Sequence, residues 1–275
     1  MHIRRSIMPK AWTDAAITSF LMCMMPIIFY FNMFVVYPHF HGLWSCLHIL
    51  YLISGTFILW NLGTNLIMII LCDTSIERML VPPNSSTNWN FCSKCKMYVP
   101  PRSWHCKICN ICILKRDHHC KFSSCCIGHY NHRYFLAFVF YMFISSIYLS
   151  LYDLCFIYDV VGFDVWITFV KVAFPLSLFF FPVTLNDLYL FALFFTSYAS
   201  SFSFALLCFH MKNLIENRTL LEKHPECLVY DRGRLNNVKD IFGERWYFVW
   251  ISPFIESKLP QDGVHWILNN LGKIE

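Results

Sequence analysis

The run 116-RDHHCKFSSCC-126 places an aspartate, two adjacent histidines and three cysteines within eleven residues. Thiolate and imidazole together form the soft donor set that zinc takes in closed tetrahedral sites. A thiol beside an imidazole is also a nucleophile beside its base, and a carboxylate can orient that base. Asp117-His118-x-Cys120 supplies all three groups. Around it lie Cys92-x2-Cys95, Cys106-x2-Cys109, Cys112, His105, His119 and Cys126. Eight cysteines fall between Cys92 and Cys126, and five histidines between Cys92 and His132. Two closed zinc sites need eight ligands, so some cysteine and histidine must remain unbound. An iron–sulfur cluster prefers all-cysteine ligation, which the interleaved histidines disfavour.

These residues sit between long apolar runs. The chain of 275 residues is 57% hydrophobic and 14% charged, with mean hydropathy +0.47. A soluble domain carries about 25% charge. Apolar runs near 15–37, 47–72, 134–158 and 188–210 are each long enough to cross a bilayer, the first without a single charge. The first is too long for a signal-peptide core and lacks a small-residue cleavage site, so it is expected to be retained. Gly55 and Gly63 in the second suggest close helix approach. Residues 165–185 are apolar but contain Lys171, Pro175 and Pro182. They are expected to lie at the interface, with Lys171 reaching the headgroups. Lys and Arg number three before the first run, nine over 73–133 and nine over 211–275. The positive-inside rule then puts both termini and the cysteine-rich segment in the cytosol, with four spans. Thiols there stay reduced, which favours metal over disulfides. The expected fold is an all-α membrane protein of four transmembrane helices, with a cytosolic two-zinc domain between helices 2 and 3. Its divisions are 1–72, 73–133, 134–210 and 211–275. The scarcity of intramembrane charge disfavours a transporter, and no nucleic-acid partner is expected.

The pattern C-x2-C-x9-H-C-x2-C-x2-C-x4-D-H-H-C-x5-C, running from Cys92 to Cys126, resembles the DHHC protein S-acyltransferases (palmitoyltransferases). Residues 100-PPRSWHC-106, Gly128, Asn131 and Phe135 fit the same signature. The stretches 219-TLLE-222 and 237-NVKDIFG-243 are similar to its T-T-x-E and tail motifs, and 244-ERWYFVWISPF-254 to its membrane-hugging tail. The resemblance implies one zinc on Cys92, Cys95, His105 and Cys112, and a second on Cys106, Cys109, His119 and Cys126, both structural. It implies Asp117, His118 and Cys120 as the catalytic set, acting on palmitoyl-CoA and on membrane-associated proteins with cytosolic cysteines. Lys115, Arg116 and Lys121 are candidates for the coenzyme A phosphates. Golgi or endoplasmic reticulum is the family's usual membrane. The chain departs from the family where Lys121-Phe122 stands for Pro-Trp, Ser124-Cys125 for Asn-Asn, and Leu220 for the second Thr. The competing reading is a catalytically inactive zinc-folded membrane scaffold. Cys125 reads as a bystander thiol, His129 and His132 as surface or headgroup contacts, and Asn217 as an unmodified glycosylation triplet.

Overall fold

The computed structural model describes residues 3–78, 89–161, 170–171, 174, 184–222 and 229–269. A chain inside lipid must satisfy its own backbone, and a helix does so within one segment. Among the described residues the apolar runs accordingly form four helices long and apolar enough to cross a membrane: Trp12–His41, Cys46–Leu71, His132–Val161 and Leu185–Ile215. The first consists of α1 (Trp12–Phe31), a π-helical turn (Asn32–Val36) and α2 (Tyr37–His41). A π turn shifts carbonyls out of the regular ladder. One of them, Met33 O, accepts a hydrogen bond from His48 Nε2 at 2.7 Å. The remaining spans are α3 (Cys46–Leu71), α4 (His132–Val161) and α5 (Leu185–Ile215), and a short α6 (Arg234–Phe242) follows.

The chain divides into two compact units. One comprises Cys23–Trp60 and Val139–Leu207. Its apolar core is Met33, Val36, Tyr37, Phe156, Ile157 and Leu190. Gly55 gives the close approach expected of it, since a Cβ there would lie 2.6 Å from Met33 Cε; Gly63 faces open space. Most of 165–185 lies outside the described residues. Lys171 is buried and paired with Asp187 at 3.1 Å. It does not reach outward as expected, because an opposite charge is available within the protein.

The other unit comprises Met1–Met22, Asn61–Phe138 and Cys208–Glu275. The cysteine-rich segment forms three two-stranded antiparallel hairpins: β1 (Asn90–Cys92) with β2 (Met97–Val99), β3 (Trp104–Cys106) with β4 (Ile111–Ile113), and β5 (His118–Cys120) with β6 (Cys125–Ile127). Isolated hairpins this short are marginal in water, so something besides their own pairing must hold them. Part of that support is backbone: Leu114 N donates to Thr74 O (3.0 Å) and Asp117 N to Ile127 O (2.9 Å). On the tail side α6 closes the end of α5. Asn237, fully buried, donates from Nδ2 to Ile215 O at 2.6 Å, satisfying a last-turn carbonyl.

Candidate active site

Each of the first two hairpins turns on a Cys-x2-Cys pair. In these turns Cys95 N points at Cys92 Sγ (3.5 Å) and Cys109 N at Cys106 Sγ (3.3 Å). The residues after each pair, Lys96 and Asn110, hold φ of 53° and 54°, the left-handed turn that lets the second sulfur swing beside the first. Two four-residue groups result: Cys92, Cys95, His105, Cys112 and Cys106, Cys109, His119, Cys126. Both are the sets implied by the sequence resemblance. Ligands on one tetrahedral zinc lie about 3.5 Å apart for N···S and about 3.7 Å for S···S. In the second group His119 Nδ1 is 3.6, 3.3 and 3.7 Å from the sulfurs of Cys106, Cys109 and Cys126, and Cys109 and Cys126 are 3.7 Å apart. In the first, Cys95 Sγ lies 3.3 Å from His105 Nδ1 and 3.6 Å from Cys112 Sγ. The donor sets fit structural zinc.

Strand β5 assigns the adjacent histidines to different faces, because side chains alternate along a strand. His119 faces the second sulfur group, whereas His118 and Cys120 share the opposite face. His118 Nδ1 is 2.7 Å from Asp117 Oδ2. A carboxylate only accepts, so Nδ1 carries the proton and Nε2 is left for the thiol. Asp117 is itself fully buried and fixed by Leu220 N, which donates to Oδ1 at 3.0 Å. Leu220 cannot offer a hydroxyl, but its backbone still orients the aspartate. Rings of Phe135 and His210 flank His118 at 5.0 and 5.5 Å. His210 Nδ1 is 3.8 Å from Asp117 Oδ2. Asp117, His118 and His210 also lie within ligand range of one another. The 2.7 Å Asp117–His118 separation is nevertheless that of a hydrogen bond; two ligands on one zinc stand about 3.3 Å apart.

The electrostatics follow from these contacts. Burial alone would raise the Asp117 carboxyl, but the His118 hydrogen bond and charge hold it well below its ordinary value. Burial would lower His118, and its bonds to Asp117 and Cys120 instead raise it to about 9. Burial would raise the Cys120 thiol, and His118 reverses that, bringing the thiol below its usual value. Cys125 is buried away from any such partner. Its thiol is pushed up to about 12 by burial and donates to Ile69 O at 3.5 Å, so it is inert.

Several expected contacts change. Lys115 does not offer a face to coenzyme A: it is fully buried, and its ammonium donates to Asn217 Oδ1 at 3.1 Å. Burial and the neighbouring Arg102 lower it to about 7. Lys121 is exposed and Arg116 half-buried. His129 and His132 are buried rather than at the surface. His129 Nε2 donates to Gln261 O (2.9 Å), and burial lowers its ring to about 3. Asn217 is buried between Tyr230 O and Asp240 and is closed to a sugar.

The sequence reading also missed a repeat. Cys92, Cys106 and Cys120 each end the first strand of a hairpin, at intervals of 14 residues. Cys95, Cys109 and Ser123 follow at the same interval, as do Lys96, Asn110 and Ser124, all three with φ of 53–54°. His105 and His119 correspond, as do Cys112 and Cys126. Each zinc group takes the turn pair of one hairpin and a cross-strand His–Cys pair of the next, His105↔Cys112 or His119↔Cys126. Cys120 thus occupies a turn-cysteine position, but after β6 the chain enters α4 instead of a fourth hairpin. Among the described residues Cys120 belongs to no group of metal ligands. Fixed-interval spacing of Cys92, Cys106 and Cys120 was the signal that could have located it.

The fold and site define a class: a four-span membrane protein whose zinc hairpins leave one thiol unligated beside an imidazole–carboxylate pair. Residues 85–226 match the family described as DHHC palmitoyltransferase. The chain is 28% identical to "Probable palmitoyltransferase ZDHHC24" of Danio rerio over 81% of this chain and 76% of that protein. It is 33% identical to the Mus musculus protein of the same name over 75% and 74%. It is 30% identical to "Probable protein S-acyltransferase 13" of Arabidopsis thaliana over 66% and 59%. The chain belongs to the DHHC palmitoyltransferase family and is an acyltransferase.

Proposed function

We propose that this protein moves a long-chain acyl group from acyl-coenzyme A, through an acyl-Cys120 intermediate, to a cysteine of a membrane-associated protein. The observation that carries the reading is the Asp117–His118–Cys120 constellation, with Nδ1 held at 2.7 Å and the thiol on the same strand face. His118 Nε2 takes the Cys120 proton. The thiolate attacks the thioester carbonyl, the C–S bond to coenzyme A breaks, and the imidazolium returns the proton to the departing thiolate. In the second half-reaction His118 takes the proton of the acceptor cysteine, that sulfur attacks the acyl-enzyme, and Cys120 leaves as the thiol. Asp117 keeps Nδ1 protonated throughout, so Nε2 is always the working nitrogen. Zinc on the two ligand groups would cross-link successive hairpins and so stabilise the hairpin that carries Cys120.

Placement supports the substrate class. Cys120 lies seven residues before the last strand ends and twelve before α4 begins, so the thiol works close to where the chain enters the bilayer. A long acyl chain entering the apolar phase gains about 0.8 kcal/mol per buried methylene. Arg116 and exposed Lys121 are the remaining candidates for the coenzyme A phosphates. The cysteine-rich segment and both termini would face the cytosol, in a Golgi or endoplasmic-reticulum membrane. The divisions 1–72, 73–133, 134–210 and 211–275 would serve as first helix pair, catalytic segment, second helix pair and tail. Purified full-length protein is incubated with labelled palmitoyl-CoA and then with neutral hydroxylamine. Hydroxylamine-labile label is expected on the wild type and absent in Cys120→Ser and His118→Ala. No label on the wild type, or label unchanged in Cys120→Ser, would favour the inactive scaffold.

A further inference from the structure

The first helix begins with a carboxylate buried against a zinc ligand. Asp14, in the first turn of α1, is 2% exposed, and its Oδ2 lies 2.9 Å from His119 Nε2. The geometry of the second ligand group requires His119 Nδ1 to face the sulfurs, at 3.3 to 3.7 Å. Nε2 must then carry the proton and donate it to Asp14. This is the carboxylate–histidine–metal arrangement that fixes the tautomer and ring orientation of a ligating imidazole and raises its basicity. The other Asp14 oxygen accepts from Thr13 Oγ1 at 3.4 Å. At the start of a helix a carboxylate is also favoured by the helix dipole.

The same segment makes two more contacts with these hairpins. Thr18, one turn after Asp14, is buried; its Oγ1 lies 2.7 Å from Ser124 Oγ and 3.2 Å from Lys121 O. Lys10, two residues before α1 begins, donates from Nζ to Cys109 O at 2.5 Å. Asp14 and Thr18, four apart, share a helix face; with Lys10 just ahead of α1 they touch the ligand His119, the turn that follows Cys120 and the zinc-ligand turn at Cys109.

We propose that Asp14 is a positioning residue of the reaction: with Thr18 it clamps the β5–β6 hairpin to the first helix through His119 and Ser124, and thereby holds His118 and Cys120 in register with each other. The effect on acyl transfer rests on the function proposed above. The effect on metal retention does not, and the experiment separates them.

Zinc release from the full-length protein in detergent is followed with a chromogenic chelator, alongside autoacylation by palmitoyl-CoA. Removing a carboxylate that orients a ligating histidine typically weakens metal binding by about 10–100-fold. In Asp14→Asn one of the two zinc ions is expected to leave about tenfold faster or more, with the other unchanged. The rate constant of autoacylation should fall while KM for palmitoyl-CoA stays. Asp14→Glu, which keeps the anion, should recover much of both. Equal release of both ions in Asp14→Asn and wild type overturns the proposal. So does equal acceleration of both, which would make Asp14 a general packing residue. Should Asp14→Asn not accumulate, Thr18→Val carries the test, since it removes only the hydroxyl contacts. Selective acceleration of one ion supports the clamp, and wild-type release of both overturns it. Selective zinc loss in a protein whose wild type shows no acyl label would leave the clamp standing and remove the proposed reaction.

Discussion

Arg102 and Glu222 form a bidentate ion pair deep inside the unit that holds Cys120. Arg102 Nε donates to Oε1 at 2.7 Å and Nη2 to Oε2 at 2.8 Å, with side chains 1% and 7% exposed. Nη2 also reaches Asn217 O at 2.6 Å, and the guanidinium lies 4.2 Å over the Tyr230 ring and 4.7 Å over Trp266. Arg102→Met removes one partner and leaves a buried carboxylate. Breaking such a pair costs about 3–5 kcal/mol, which for a chain of this size corresponds to a fall in apparent Tm of about 6–20 °C. Replacing both partners with apolar groups is often nearly neutral, so Arg102→Met/Glu222→Met should recover at least half of the loss. The damage should also reach the site. Glu222 Oε2 accepts from Thr219 N (2.9 Å), which sets the turn from which Leu220 N holds Asp117. The pH dependence has a definite sign. Burial would raise the Glu222 carboxyl, but Arg102 holds it below its usual value. Its stabilising contribution is therefore present above the unfolded carboxylate pKa of about 4.3 and is lost as pH falls through the lower folded value. In Arg102→Met the unpaired carboxyl is raised instead, so protonation relieves it and the Tm gap to wild type should narrow between pH 7 and pH 5. Thermal unfolding of the full chain in detergent reads both effects. An Arg102→Met protein within about 1 kcal/mol of wild type, or a double variant no better than the single, would refute the reasoning.

Three further outcomes are expected. Cys109→Ser removes a ligand of the second group and should lower yield and bound zinc together; normal yield with one zinc lost would show that the hairpins hold without it. Gly128→Ala places a Cβ 2.6 Å from Leu114 O and 2.7 Å from Thr74 Oγ1. Overpacking against backbone costs about 1–3 kcal/mol, so a measurable fall in Tm is expected, and an unchanged Tm would show that α4 can shift at its start. Ser123→Cys restores a Cys-x2-Cys pair at the third turn. Added Cd2+ should then block autoacylation at lower concentration than in wild type, whereas equal sensitivity would count against equivalence of the three turns.

Much of this was legible because the signals were strong and local. Runs of twenty apolar residues can only be helices in lipid, and all four appear. The two ligand groups were legible because thiol and imidazole at short intervals leave few alternatives, although only the family resemblance implied the division that the structure brings together in space. What stayed hidden was burial set by distant chain. Lys115 reads as a surface cation beside the motif, and only the fold shows Asn217 of the tail taking its ammonium. His129 is enclosed by Gln261 in the same way. Asp14 reads as an ordinary charge before a span, because its partner is His119, more than a hundred residues away.

The repeat explains why a metal-binding scaffold can carry a nucleophile. In the first two turns a cysteine at the end of a strand, bonded by the amide three residues on, is positioned for zinc. The third turn has the same strand register, Cys120↔Cys125 matching Cys92↔Met97 and Cys106↔Ile111, and the same left-handed residue. Its geometry is therefore fixed by the same backbone, yet three ligands are absent from the pattern. Ser123 replaces the second turn cysteine, and α4 replaces the hairpin that would bring a histidine and another cysteine. Among the described residues the Cys120 sulfur has no group of metal ligands around it, and beside it on the same strand face stands His118. The adjacent histidines then divide one problem between them: His119 faces the second ligand group on one side of β5, and metal held there would keep His118 still on the other. Replacing His119 should therefore impair Cys120 without touching it, through the strand they share.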